Sequence, residues 1–272
     1  MEKRITEQPS LYDHLEQMSV GELIQHINTE NARVPQALAR ALPRLALLIG
    51  RIEAQLRQGG RLFYVGCGTG GRLAALDTIE VQNTYGTPGD LIQAIFPGGT
   101  GDLLQTAESK EDDLENGWAQ LMARQVSSND IVVGLSASGT TPFVRATLAR
   151  CREQGIPTGC LVNNPDAPIA ALADYPVVVV TGPEFVTGST RMKAGSSQKM
   201  MLDMISTSLM IRLGRVSGNL MVNARLLNAK LIDRAVRIFM GRHAEYGDYE
   251  AVERLIRQHG SVRKAEKALG ME

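Results

Sequence analysis

The sequence predicts an α/β protein with a flavodoxin-like, five-stranded parallel sheet of order 2-1-3-4-5. Three observations predict it. From residue 61 onward, short apolar runs alternate with segments of helical period, the pattern of parallel strands joined by covering helices. Residues 131–135 are apolar throughout, as a strand buried on both faces must be. Small-residue loops follow the first and third strands. In this winding those strands are neighbours where the order reverses, so their loops flank one crevice.

The elements follow in order. Residues 1–18 are polar and contain Pro9, which suggests an extended arm. Ser19 followed by Glu22 is a capping box that opens a helix over residues 20–30. Residues 34–56 form a second helix, with Leu38, Leu42, Leu45, Leu48 and Ile52 on one face. Pro35 fits its first turn, Pro43 is expected to kink it, and Gly59-Gly60 ends it. Residues 61–65 read as the first strand. Gly66, Gly68, Gly70 and Gly71 then allow a sharp turn and close approach of the backbone to a ligand. The next helix places Leu73, Leu76 and Ile79 on one face, with Glu80 about two turns along it.

Residues 91–96 are the second strand. Residues 102–124 suggest a carboxylate-rich helix carrying Glu108, Glu111, Asp112, Asp113 and Glu115. The third strand leads into SASGTTP at 136–142 and a helix over 143–154. Strands are expected at 159–162 and 177–180. A Met-rich helix over 190–213 carries more apolar surface than one sheet face needs, which suggests a homodimer. Residues 217–243 read as largely helical. Two short helices, 249–257 and 261–269, are hinged at His259-Gly260. The expected divisions are an N-terminal arm with helices (1–58), a ligand-binding α/β domain (59–222) and a small C-terminal helical domain (223–272).

Composition narrows the function. Lys+Arg and Asp+Glu balance at 29 each and aromatics make up 4%, so neither a nucleic-acid surface nor an anionic-membrane patch is expected. The apolar fraction of 43% is enough for a substantial core. No apolar run reaches spanning length, and MEKRITEQPS has no signal-peptide core, so a cytoplasmic protein is expected. Cys67, Cys151 and Cys160 have no metal-ligand spacing and suit a reducing compartment. Cys67 lies in the glycine loop and reads as a small filler of that loop.

The two loops point to a phosphate. Strand, glycine loop and helix direct free N–H groups and a positive helix end at an anion. Ser136, Ser138 and Thr141 add hydroxyls beside a second helix start, although Ser and Thr also cap helices there. Two converging loops suit a phosphomonoester better than a dinucleotide, for which one glycine fingerprint and an acidic ribose partner are expected.

These residues carry a resemblance. GCGTGGRL at 66–73, PGGTGDLLQTAESKEDD at 97–113, SASGTTPF at 136–143 and GPEFVTGSTRMKAGSSQKMMLDMIST at 182–207 resemble the sugar isomerase (SIS) family. Within it they are similar to the N-acetylmuramic acid 6-phosphate etherases and the related glucokinase regulatory proteins. ITEQPS, TYG at 84–86 and GNLMV at 218–222 extend the likeness over nearly the whole chain.

The resemblance implies two catalytic glutamates. Glu80 follows the first loop, and Glu111 lies in AESKED. It also implies phosphosugar contacts from Gly68, Thr69, Gly70, Ser136, Ser138, Gly139, Thr141, Glu184, Ser189, Arg191 and Lys193. It implies a homodimer with the site near the subunit boundary, a ubiquitin-associated-like tail, and no cofactor or metal. The implied reaction removes the lactyl ether of N-acetylmuramic acid 6-phosphate, with Glu80 as acid and Glu111 as base, in cell-wall amino sugar recycling. A non-catalytic phosphosugar-binding regulator and an aldose-ketose isomerase are the alternatives. The chain departs from the etherase pattern in three places. Gly70 stands where the family has serine, Ser136 where it has alanine, and Gln82-Asn83 where it has two prolines. Ser136 is expected to restore the hydroxyl missing at Gly70.

Overall fold

The computed structural model describes residues 4–99 and 110–271. Strands β1 (Leu62–Gly66), β2 (Ile92–Ile95), β3 (Ile131–Ser136), β4 (Thr158–Val162) and β5 (Tyr175–Val178) form one parallel sheet. Its order is β2-β1-β3-β4-β5, the expected winding. Every residue of β1 and β3 is buried, as their apolar runs require. Val65 pairs with Ile95 on one side and Gly134 on the other, so the carboxyl ends of β1 and β3 lie side by side. Asp130 clamps their opposite ends. Its carboxylate accepts the Arg61 backbone N–H at 2.8 Å, the Arg61 guanidinium at 2.9 Å and the Ser127 N–H at 2.8 Å.

β5 begins two residues earlier than expected. It takes in Pro176, which is tolerated because β5 is the sheet edge, where a missing N–H costs no ladder bond. Asp174 holds this end by accepting the Thr158 N–H at 2.9 Å.

The helices start where side chains satisfy their free N–H groups. α1 (Val20–Asn31) has the expected capping box, with Ser19 Oγ accepting Glu22 N–H and Glu22 accepting Ser19 N–H. α2 (Arg33–Arg57) runs on through Pro43. It buries Leu38, Leu45, Leu48 and Ile52 but leaves Leu42 exposed. α3 (Gly68–Tyr85) follows the first loop, and its buried face differs from the expected one. Ala74 and Ala75 are buried, whereas Leu76 is 44% and Ile79 52% exposed. The first turn explains this. A side chain at Gly71 would lie 2.5 Å from both Phe96 and the Gly66 carbonyl. A helix seated that closely takes small residues inward and turns its larger ones out.

The helix expected over 102–124 is shorter. Residues 100–109, including Glu108, lie outside the described residues; residues 110–115 form turns, and α4 spans Asn116–Ala123. Asp113 Oδ1 accepts the N–H groups of Glu115 and Asn116, each at 3.0 Å, and this turn competes with an earlier helix start. α5 (Pro142–Glu153) follows the second loop with Pro142 in its first turn.

α6 (Lys193–Arg212) starts three residues later than expected, because the Glu184 carboxylate accepts the N–H groups of Lys193 and Ala194, both at 2.9 Å. Met201, Leu202, Ile205, Leu209 and Met210 are buried, each contributing about 1.5–3 kcal/mol. Much of the apolar surface of this helix is thus covered within the chain.

The chain divides into two compact units, Met1–Asp77 with Asp90–Ile205 and Thr78–Gly89 with Ser206–Glu272. The first contains the sheet. The second contains α7 (Ala229–Arg242), α8 (Tyr249–His259) and α9 (Val262–Ala268), around Phe239, Val236, Ile256 and Val262. The helix expected over 217–243 is confined to α7. Before it, Ser217 bridges to Leu220, the Arg225 N–H bonds to the Asn83 carbonyl, and Asn228 caps the helix. Gly260, at φ +79°, makes the expected hinge, and Ser261 caps α9. No helix among the described residues is long and apolar enough to cross a membrane.

Candidate phosphosugar site

β1 and β3 deliver their loops to one crevice of about 320 Å³ in the first unit. From the first loop it is lined by Cys67, Gly68, Thr69 and Gly70, and from the second by Ser136, Ser138, Thr140 and Thr141. α3 and α5 both begin here, so two helix N-termini and their partial positive charges meet at the crevice.

The second loop is held by its own hydroxyls. Ser136 Oγ accepts the Gly139 N–H at 3.0 Å and bonds to Thr141 Oγ1 at 2.8 Å. Ser138 Oγ bonds to Thr140 Oγ1 at 3.0 Å. Ser136 is only 5% exposed. Its hydroxyl therefore orders the loop and orients Thr141 as well as lining the crevice.

Glu111 also lines this crevice. Its carbonyl accepts the Phe143 N–H at 2.9 Å, which ties the segment to the first turn of α5. Its Oε1 lies 3.3 Å from where a Gly68 side chain would begin. Cys67 is buried beside it. Burial, then the Glu111 charge, pushes its thiol well up, so it stays protonated and is no nucleophile.

The structure brings Gly68, Thr69, Gly70, Glu111, Ser136, Ser138 and Thr141 together at the crevice. Gly139 is buried behind the loop, with its carbonyl on Ile169 N–H. Glu184, Ser189, Arg191 and Lys193 are not among the described lining residues. Glu184 is spent on capping α6, and burial is the main reason its carboxyl rises above the usual range. Lys193 is 1% exposed, and its ammonium pairs with Glu30, itself 2% exposed. Ser189 is half-buried in a turn, its N–H on Val186 O, and Arg191 is exposed. Glu80 is exposed on the part of α3 that belongs to the second unit. There it borders a cavity of about 370 Å³ with Asn83, Asn228, Lys230 and Arg234.

Outside β1, β3 and the loops that follow them, four crevice residues escape the sequence reading: Arg4, Glu7, Thr190 and Gln198. Thr190 and Gln198 stand inside the 182–207 run, Thr190 between Ser189 and Arg191 and Gln198 five residues beyond Lys193. Arg4 and Glu7 belong to an arm read as extended. It instead makes a short 3-10 turn, Ile5–Glu7, and docks. Gln198 faces Gly70, where a side chain would lie 2.8 Å from Gln198 Oε1. A serine at this position would require the Gln198 amide to shift. Among the described residues, no three His, Cys, Asp or Glu side chains gather where they could share a metal ion.

Known proteins share this fold and much of this sequence. The model of the glucokinase regulatory protein N-terminal SIS domain matches residues 44–152, and the SIS domain model matches 115–208. A phosphoheptose isomerase structure from Francisella tularensis superposes with TM-score 0.54 at 11% identity, over 72% of this chain and 99% of that one. A putative phosphosugar isomerase structure from Bacteroides fragilis gives 0.53 at 21% identity, over 74% and 95%. At these identities the structures show a shared fold. The sequence relatives are far nearer. An N-acetylmuramic acid 6-phosphate etherase of Porphyromonas gingivalis is 48% identical over 270 residues, 99% of this chain and 97% of that protein. One of Bacteroides thetaiotaomicron is 47% identical over 265 residues, 97% and 95% of the two chains. With its SIS-type sheet, its paired small-residue loops and near-half identity along almost its whole length, the chain belongs to the N-acetylmuramic acid 6-phosphate etherase family.

Proposed function

We propose that this chain is itself an N-acetylmuramic acid 6-phosphate etherase, a carbon–oxygen lyase. The observation that carries this reading is the Glu111 carboxylate set against Gly68, in a crevice lined by the hydroxyl loop. An anion-binding end and a proton-transfer group are thus within one small crevice, as elimination from a phosphosugar requires.

The 6-phosphate is held by the loop N–H groups and by Ser138 and Thr141. In the open-chain sugar, the C1 aldehyde acidifies the C2 proton, and Glu111 takes it. The electron pair left at C2 forms the C2–C3 double bond as the C3–O bond breaks. Glu80 gives a proton to the departing lactate oxygen. Water then adds to C3, giving a proton to the Glu80 carboxylate, while Glu111 returns a proton to C2, to give N-acetylglucosamine 6-phosphate and D-lactate. The assignment of Glu80 as acid rests on resemblance to the family. So do the homodimer, a site near its subunit boundary, and a cytoplasmic place in cell-wall amino sugar recycling.

Incubation with N-acetylmuramic acid 6-phosphate tests the reading. Equimolar release of D-lactate and N-acetylglucosamine 6-phosphate is expected. A ketose phosphate without lactate would make it an isomerase. Tight binding without turnover would make it a regulator.

A further inference from the structure

We propose that Arg4 is a phosphate-binding residue, the cation that the N-terminal arm supplies to the crevice. The proposal rests on the phosphosugar reading above and extends it.

Arg4 borders the crevice and an adjoining cavity of about 610 Å³, and Ser138 and Thr140 border both. Arg4 therefore stands at the hydroxyl loop. It is the one cation among the described residues that line the crevice, where the carboxylates are Glu7 and Glu111. A phosphomonoester brings about 1.5 to 2 negative charges at neutral pH. Without Arg4, every charged side chain described at the crevice would repel it. Arg4 itself is exposed, and the ion pairs given for the described residues do not include it.

The arm is fixed where this requires it. Thr6, two residues on, is fully buried. Asn164 Oδ1 accepts the Thr6 N–H at 3.2 Å, and Asn164 Nδ2 donates to Thr6 Oγ1 and to the Ala137 carbonyl, both at 2.9 Å. Ala137 lies between Ser136 and Ser138, so one asparagine bonds the arm to the hydroxyl loop itself. Further along, Ser10 Oγ donates to the Phe185 carbonyl at 2.7 Å, and the Tyr12 ring packs on Phe185. An arginine on a segment ordered before the ligand arrives loses little freedom on binding. Its planar fork suits two phosphate oxygens.

Calorimetric titration of wild type, Arg4→Gln and Arg4→Lys with N-acetylglucosamine 6-phosphate and with N-acetylglucosamine tests this. Wild type should prefer the phosphorylated sugar. Arg4→Gln should bind that sugar roughly tenfold to a hundredfold more weakly, with no change toward the other. Arg4→Lys should recover part of the loss. In turnover, KM should rise in Arg4→Gln with kcat nearly unchanged. An undiminished preference in Arg4→Gln would overturn the role of Arg4 and leave the phosphosugar reading standing. Equal loss in Arg4→Lys and Arg4→Gln, with a lowered melting temperature, would make Arg4 structural and also overturn it. A wild type without any preference would remove the phosphosugar reading itself.

Discussion

Glu111 lies against Gly68, its Oε1 3.3 Å from where a side chain on that glycine would begin. Gly68 also holds φ at +51°. Gly68→Ala therefore meets two obstacles, a left-handed backbone costing about 1–2 kcal/mol and a methyl group that displaces the carboxylate. Steady-state kinetics should show kcat falling more than KM rises. An unchanged kcat would mean that the placement of Glu111 is not critical to turnover.

Ser138 lines the crevice, and among the described residues its hydroxyl bonds within the loop, to Thr140 and Ser136. Ser138→Ala removes a donor to a charged acceptor, which should weaken phosphosugar binding by about 1.5–3 kcal/mol. Isothermal titration gives the number, and equal affinities in variant and wild type would remove Ser138 from the site.

Lys193 should matter for stability and not for binding. Lys193→Met leaves Glu30 buried without its ammonium partner, held only on its other oxygen by Arg33 and Tyr12 among the described residues, a change that should cost up to about 3–5 kcal/mol. Urea denaturation should show the loss, while phosphosugar affinity in the folded variant stays the same. Weaker binding with unaltered stability would instead restore the contact role that the family resemblance implies.

Asp130 should govern part of the acid limb of stability. Burial alone would push its carboxyl up, but hydrogen bonds from Arg61 and the Ser127 backbone outweigh burial and hold it below the usual carboxylate range. A carboxyl depressed in the folded state adds stability that is fully present above its unfolded value of about 3.9. That stability is lost as pH falls through the folded value. Urea midpoints measured from pH 6 down to pH 2 should fall less steeply for Asp130→Asn than for wild type. Parallel curves would contradict this.

The sheet was legible because its evidence is local and repetitive. The continuous apolar run at 131–135 and the paired loops suffice for the winding, and Ser19 with Glu22 shows the start of α1. The sequence is a poorer guide where tertiary contact decides. The inward face of α3 is set by its close seat at Gly71, which favours Ala74 and Ala75 inside over Leu76 and Ile79. The start of α6 is set by its cap, Glu184, which lies nine residues upstream of Lys193. At the site, Gly68, Ser136, Ser138 and Thr141 were readable from their loops. Arg4 and Gln198 were not, since their positions depend on how the arm and α6 dock. Lys193 carries a charge that looks available in sequence and is consumed by Glu30, more than 160 residues away.

Proton NMR in deuterated buffer, with D-lactate assayed in the same samples, tests Glu111 as the base most directly. Wild type incubated with N-acetylmuramic acid 6-phosphate should release lactate and yield product deuterated at C2. Glu111→Gln keeps the shape of the side chain and removes its titrating proton. It should lose both lactate release and C2 exchange by about a hundredfold to ten-thousandfold, with phosphosugar affinity nearly unchanged. Glu80→Gln should lose lactate release while still exchanging the C2 proton. Full lactate release and C2 exchange by Glu111→Gln would contradict the assignment of that carboxylate as the base.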